Sequence, residues 1–270
     1  MMERSQGFEN IRDMGSRLLP FPDPSDQTSL RKPLMGECDK HGPWMKELKG
    51  EDGIVRVIPS CGKCIRESRS GALLGRAGIP LRFREKTFEN FELTSHIPQI
   101  NAFRMAKDYA ATFNEASMVG KCLVFTGNTG TGKTHLACAI ANELLRQGKS
   151  ALFVRAYEVL RTIRDTWKSG EKTELAVIRE FVAPDLLILD EVGVQYGSES
   201  ERIELFKVVN GRYDEVKPMI MLSNLATPRL LEYLGERIYD RLLDAGGRVV
   251  TFDWKSWRSI NSEKILGMEG

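Results

Sequence analysis

Residues 122–134, CLVFTGNTGTGKT, satisfy the spacing G-x-x-x-x-G-K-T in full. Gly127, Gly130 and Gly132 reach backbone conformations closed to other residues, so successive N–H groups, those of Asn128, Thr129 and Thr131 among them, can turn inward around a phosphate chain. The apolar residues ahead of the loop predict a strand, and HLACAIANELLRQG behind it predicts a helix whose positive end adds to the cradle. Lys133 supplies a mobile charge for the outer phosphates of ATP. The Thr134 hydroxyl is placed to ligate the magnesium ion that bridges them.

A second carboxylate-bearing stretch, LLILDE at 186–191, reads as a buried strand that delivers two acids at its C-terminal end, where ligands bind in open α/β sheets. Asp190 would hold the hydrated magnesium, and Glu191 would polarise an attacking water. MIMLSN ends in Asn224, either a sensor of the terminal phosphate or a cap on the next turn. GERIYDRLLDAGG sets Arg237 and Arg241 four apart on one helical face. They pair with Glu236 or Asp240, or they offer positive charge to a neighbouring copy's triphosphate. AYEVLRTIRDTWKSG carries Arg161, Arg164 and Lys168 around Trp167. An exposed indole there would stack on a base while the cations follow phosphates; otherwise the indole packs against the core. Ser198 and Ser200 are further candidate phosphate contacts in the loop after Glu191.

Cys38-x-x-His41 and Cys61-x-x-Cys64 form two close ligand pairs. That is the spacing of a closed, structural zinc site, which would hold together a module too small to fold on its core alone. The insert predicts strand Trp44 to Lys49, a turn at Glu51-Asp52-Gly53, and strand Ile54 to Ile58. Cys122 and Cys138 lie in apolar surroundings and read as core thiols.

These groups require a scaffold, and 270 residues at 41% hydrophobic content can bury one main core with material left for a smaller module. From residue 122 onward, strands at 122–126, 151–155, 186–190, 219–223 and 248–252 alternate with helical patterns, predicting an α/β fold with a five-stranded parallel sheet covered on both faces. About 18 residues follow the last strand, too few for a full helical lid. FENFELTSHIPQINAFRMAKDYA predicts a loop and a helix that packs Phe103, Ala106 and Tyr109 inward. Upstream, residues 5–19 predict an amphipathic helix, and LPFPDPSDQTSLRKP an extended linker. The expected organisation is a helix and linker at 1–36, a zinc module at 37–70, a basic linker at 71–86, the ATPase domain at 87–262 and a tail at 263–270. The chain's formal charge is +2, yet Arg56 to Lys86 holds eight Lys and Arg against two Glu, which suits a nucleic acid or an acidic protein surface, or a solvated linker that is simply basic. No apolar run approaches a membrane span and no signal-peptide core opens the chain, so a cytoplasmic location without membrane contact is expected.

With those pieces placed, residues 87–258 resemble the AAA+ P-loop ATPase domain of the bacterial and phage DnaC-type replicative helicase loaders. GNTGTGKTHLACAIANELL and LLILDEVGVQ are shared by a wide ATPase class; LGERIYDRL and FDWKSWRS, together with the missing lid, are narrower. The cysteine and histidine knuckle resembles the zinc-bearing front ends of some phage-type loaders. The resemblance implies ATP-dependent loading of a hexameric DnaB-type helicase onto single-stranded DNA, with copies associating through their ATP sites. It implies Arg241 as an arginine finger, Arg258 as a second nucleotide sensor, and Trp167 with its basic neighbours as part of a single-strand site. An IstB-type transposition helper, with the same domain but recruiting a transposase, stays open beside it.

Overall fold

The computed structural model describes residues 34–40, 42–49, 55–57, 61, 63–64, 75, 77–169, 172–194, 198–257 and 259. The expected helix at 5–19, the extended proline-rich linker, part of the basic linker, His41, the expected turn at 51–53, Arg258 and the tail lie outside them. The chain divides into two compact units, Met1–Cys61 and Gly62–Gly270.

In the first unit, β1 (Met35–Cys38) pairs antiparallel with β2 (Gly42–Met45), and β3 (Glu47–Lys49) pairs antiparallel with β4 (Val55–Val57). The second hairpin matches the expected insert in outline. Trp44, however, belongs to β2, opposite Gly36, where a Cβ at position 36 would stand 2.7 Å from the indole. The bare glycine accommodates the ring, and a hairpin forms where only a knuckle was expected.

The second unit is built on a five-stranded parallel sheet in the order β6-β7-β8-β5-β9, comprising β5 (Leu123–Gly127), β6 (Ala151–Arg155), β7 (Leu186–Val192), β8 (Met219–Ser223) and β9 (Arg248–Phe252). Alternate residues of the central strands enter different cores. Leu123, Phe125, Leu186, Ile188, Ile220 and Leu222 join one, while Val124, Leu187, Leu189, Met219 and Met221 join the other. Both faces are therefore covered, and the strands read as continuous apolar runs.

Helices α1 (Ile97–Ala111), α2 (Phe113–Val119) and α3 (Lys133–Arg146) contribute to the first core. Ala102, Ala106, Tyr109 and Ala110 are the buried apolar residues of α1, and Phe103 packs from a partly buried position. The other core takes residues from α4 (Ala156–Ser169), α5 (Glu174–Val182), α6 (Glu199–Asp214), α7 (Thr227–Leu234) and α8 (Glu236–Leu243). Cys122 and Cys138 are buried, as expected of core thiols. Arg212, 1% exposed, closes the α6 end of this layer by donating to the carbonyls of Phe181, Val182, Pro184, Asp185 and Pro218. Such a buried guanidinium is tolerable because carbonyl dipoles replace its water. Burial still pulls it down to about 10.

Candidate functional site

The C-terminal ends of β5, β7 and β8 open onto a cleft of about 360 Å³ whose lining includes Gly130, Lys133, Thr134, Asp190, Glu191 and Asn224. The loop between β5 and α3 needs its glycines for concrete reasons. Gly127 sits at φ 112, and a Cβ there would meet the Phe252 carbonyl oxygen at 2.4 Å. Gly132 sits at φ 97, with Phe91 Cε2 2.6 Å from where its Cβ would be. The β9 end scaffolds this loop. Asn128 N donates to Phe252 O at 2.8 Å, Trp254 Nε1 to Thr131 O at 3.0 Å, and Trp257 N to Gly130 O at 2.9 Å. This explains what FDWKSW does in the fold, a role that its residue types alone did not disclose.

Lys133 is 6% exposed, and its Nζ donates to Gly127 O at 2.7 Å and Asn128 O at 2.5 Å. Burial brings it down to about 8, with the Asp190 carboxylate opposing. Thr134 Oγ1 donates to Asp190 Oδ2 at 3.3 Å, which sets a hydroxyl beside a carboxylate as magnesium ligation requires. Burial pushes Asp190 above the usual carboxylate range, and the Glu191 charge adds to this; the Glu191 N–H and the Thr134 hydroxyl work the other way. A divalent cation there would relieve the cost of burying that charge.

Glu191 owes its placement to an irregularity in the strand pairing. Leu187, Ile188 and Leu189 face Met219, Ile220 and Met221 in register, but Val192 faces Ser223, leaving one extra residue in β7. A bulge of this kind re-aims side chains. Glu191 takes φ 58, and its carboxylate stands 3.5 Å from Arg155 Nε at the end of β6. Ser223 Oγ donates to Val192 O at 2.7 Å and accepts from Leu225 N at 3.1 Å, stapling the bulge to β8 just before Asn224. Sequence reading singled out neither Arg155 nor Ser223, because each matters only through a contact across the sheet. The same holds for His135, whose Nε2 donates to Thr87 O at 2.9 Å beside the Phe91 ring.

Arg237 and Arg241 do not line this cleft. Arg241 Nε donates to Asn210 Oδ1 at 2.9 Å, and its guanidinium lies over the Phe206 ring at 4.9 Å. Arg237 is exposed on a separate groove with Phe206, Leu234 and Ile238. The proposed single-strand residues fall into two groups. Trp167 is 59% exposed, with its Nε1 donating to Glu174 at 3.0 Å, and Lys168 is exposed. Arg164 is committed to the buried Glu204 at 3.1 Å and approaches Glu201 at 3.9 Å. Ser198 caps α6 in a reciprocal capping box with Glu201, and Ser200 donates to Glu204 at 3.0 Å. The three thiols Cys38, Cys61 and Cys64 bring their sulfurs within 4.8 Å of one another, a donor set that suits zinc. Among the described residues no helix is long and apolar enough to cross a membrane.

Comparison with known proteins agrees with this geometry. The family model for IstB-like ATP binding proteins matches residues 61–264. The replicative helicase loader DnaC of Escherichia coli K12 is 34% identical over 266 residues, spanning 97% of this chain and 100% of the relative. The crystal structure of the DnaC helicase loader superposes with TM-score 0.58 at 20% identity, covering 64% of this chain and all of that one. The replication initiator DnaA bound to AMPPCP and single-stranded DNA gives TM-score 0.55 at 25% identity, over 68% of this chain and 55% of that one. The chain belongs to the IstB-like family of AAA+ ATP-binding proteins, among the DnaC-type replicative helicase loaders.

Proposed function

We propose that this protein binds and hydrolyses ATP to load a hexameric replicative helicase onto single-stranded DNA. The observation that carries the reading is the meeting of Lys133, Thr134, Asp190 and the bulged Glu191 in one cleft. Lys133 would exchange the loop carbonyls for the outer phosphates. Thr134 and Asp190 would hold magnesium, which neutralises charge on the transferring phosphoryl group. Glu191, only partly exposed and aimed by the bulge, would take the proton of the attacking water. Asn224 would fix that water, and Arg241 would complete the charge on a neighbouring copy's triphosphate. Trp167 and Lys168 would meet the single strand. Cys38, Cys61 and Cys64, with His41, would hold a structural zinc ion. Binding then favours the assembled state and hydrolysis releases it, so ATP acts as a timer through a population shift.

Glu191→Gln is expected to abolish turnover while ATP still binds. Retained hydrolysis removes Glu191 from the role of base. Pull-down on a DnaB-type hexamer with ATP tests the partner, and capture of a transposase in its place would favour the transposition-helper reading that the family shares. The alignment with a helicase loader along 97% of the chain favours the loader.

A further inference from the structure

Asn142 lies inside α3, about two turns beyond His135 on the same helical face, and is 5% exposed. A buried amide there is unfavourable on two counts. Asparagine is a weak former of helix interiors, and here its Oδ1 has no hydrogen-bond partner among the described residues. A leucine of similar size would carry neither cost. What the amide supplies is its Nδ2, which donates to Lys86 O at 2.8 Å and to Phe83 O at 3.3 Å. We propose that Asn142 is a positioning residue for nucleotide binding, latching residues 83–86 to the phosphate-loop helix as the wall on which the nucleoside rests, a role that depends on the reading of the cleft as an ATP site.

The lining of the cleft falls into two sets. One is the phosphate loop with the strand-end acids; the other includes Arg82, Phe83, Lys86, Phe91 and Glu92. Phosphates and their ion occupy the first set, so the nucleoside comes to lie against the second. From Thr87 onward this wall is well anchored. His135 Nε2 donates to Thr87 O at 2.9 Å, and Phe88 and Phe91 pack on Phe103 of α1 with ring centroids 5.9 and 5.7 Å away. The stretch ahead of it is not held in that way. Arg82, Arg84 and Glu85 are exposed, and Phe83 adds a partly buried contact with the first core. Among the described residues, the two bonds from Asn142 are the hydrogen bonds that tie residues 82–86 to an α-helix or strand. Without them the Phe83 and Lys86 carbonyls would face α3 unpaired. The stretch would then turn them to water, carrying Arg82, Phe83 and Lys86 off the cleft.

The test compares the full chain's affinity for magnesium ATP with that for magnesium tripolyphosphate, which offers phosphates without a nucleoside, in wild type, Asn142→Leu and Asn142→Ala. Both variants should weaken ATP binding by about tenfold, as the loss of two hydrogen bonds implies, and leave tripolyphosphate within about twofold. In turnover, KM for ATP should rise likewise while kcat at saturation stays within about twofold, since Lys133, Asp190 and Glu191 keep their places. Equal loss of both ligands would make Asn142 a support of the phosphate-loop helix alone and overturn the proposal. Unchanged ATP affinity in both variants, or a fall in kcat with KM unchanged, would overturn it too. A wild-type chain that binds tripolyphosphate as tightly as ATP would remove the nucleoside wall but keep the phosphate site, whereas one that binds neither would overturn the ATP reading as well. Should Asn142→Leu melt early, Asn142→Ala, which adds no bulk and favours the helix, carries the comparison.

Discussion

Lys133 shows how one residue's surroundings set its chemistry. Burial holds it near 8, whereas a bound phosphate favours the charged form, so nucleotide binding takes up a proton in the window above about pH 8. Affinity for ATP is expected to be flat below that pH and to fall by up to about tenfold per unit above it, as a titration with a fluorescent nucleotide would read. A pH-independent affinity up to 9.5 would show that Lys133 stays charged in the empty cleft. The sign for stability is opposite. A lysine with a lowered folded value is less protonated folded than unfolded, so the nucleotide-free fold gains stability as pH rises through the same window. At Glu191, a non-glycine residue at φ 58 stores roughly 1–3 kcal/mol of backbone strain, which the Ser223 staple and the sheet on either side must hold.

At the scale of elements, α6 connects the strand-end acids to the proposed single-strand helix. Its first turn begins with the Ser198 capping box, and its buried Glu204 grips Arg164 on α4. Releasing Arg164 to a DNA phosphate would leave a buried carboxylate uncompensated, so the contact reads as a clamp between helices. Ser198→Ala should cost about 1 kcal/mol and lower the melting temperature by about 2–4 °C while leaving single-strand affinity unchanged. A selective loss of DNA binding with unchanged melting would make Ser198 a DNA contact instead of a cap. At the cysteines, the three sulfurs within 4.8 Å predict one zinc ion released per chain on thiol titration, and none from Cys61→Ser. A metal-free protein with three freely titrating thiols would refute the zinc assignment.

For the whole molecule, catalysis is expected to depend on assembly, because neither Arg237 nor Arg241 lines its own chain's cleft. Arg241→Ala should lower ATP turnover stimulated by helicase or DNA by roughly a thousandfold without altering nucleotide affinity of the lone chain. A large loss of that affinity would identify Arg241 as a ligand within one copy. Mass measurement of the complex with helicase and ATP would report how many copies assemble.

The sequence by itself determined the phosphate loop, the Asp190–Glu191 pair, the five strands to within a residue or two and the thiol cluster. Each is encoded by local spacing: glycine where φ must be positive, apolar runs where both faces are covered, a Cys-x-x-Cys pair. Only the tertiary structure decided that Glu191 sits in a bulge, that Ser223 staples it, that FDWKSW supports the loop through Trp254 and Trp257, and that Arg164 spends its charge on α6. These depend on pairings between residues far apart in the chain, whose partners are fixed by register and packing, and no spacing along the chain records them.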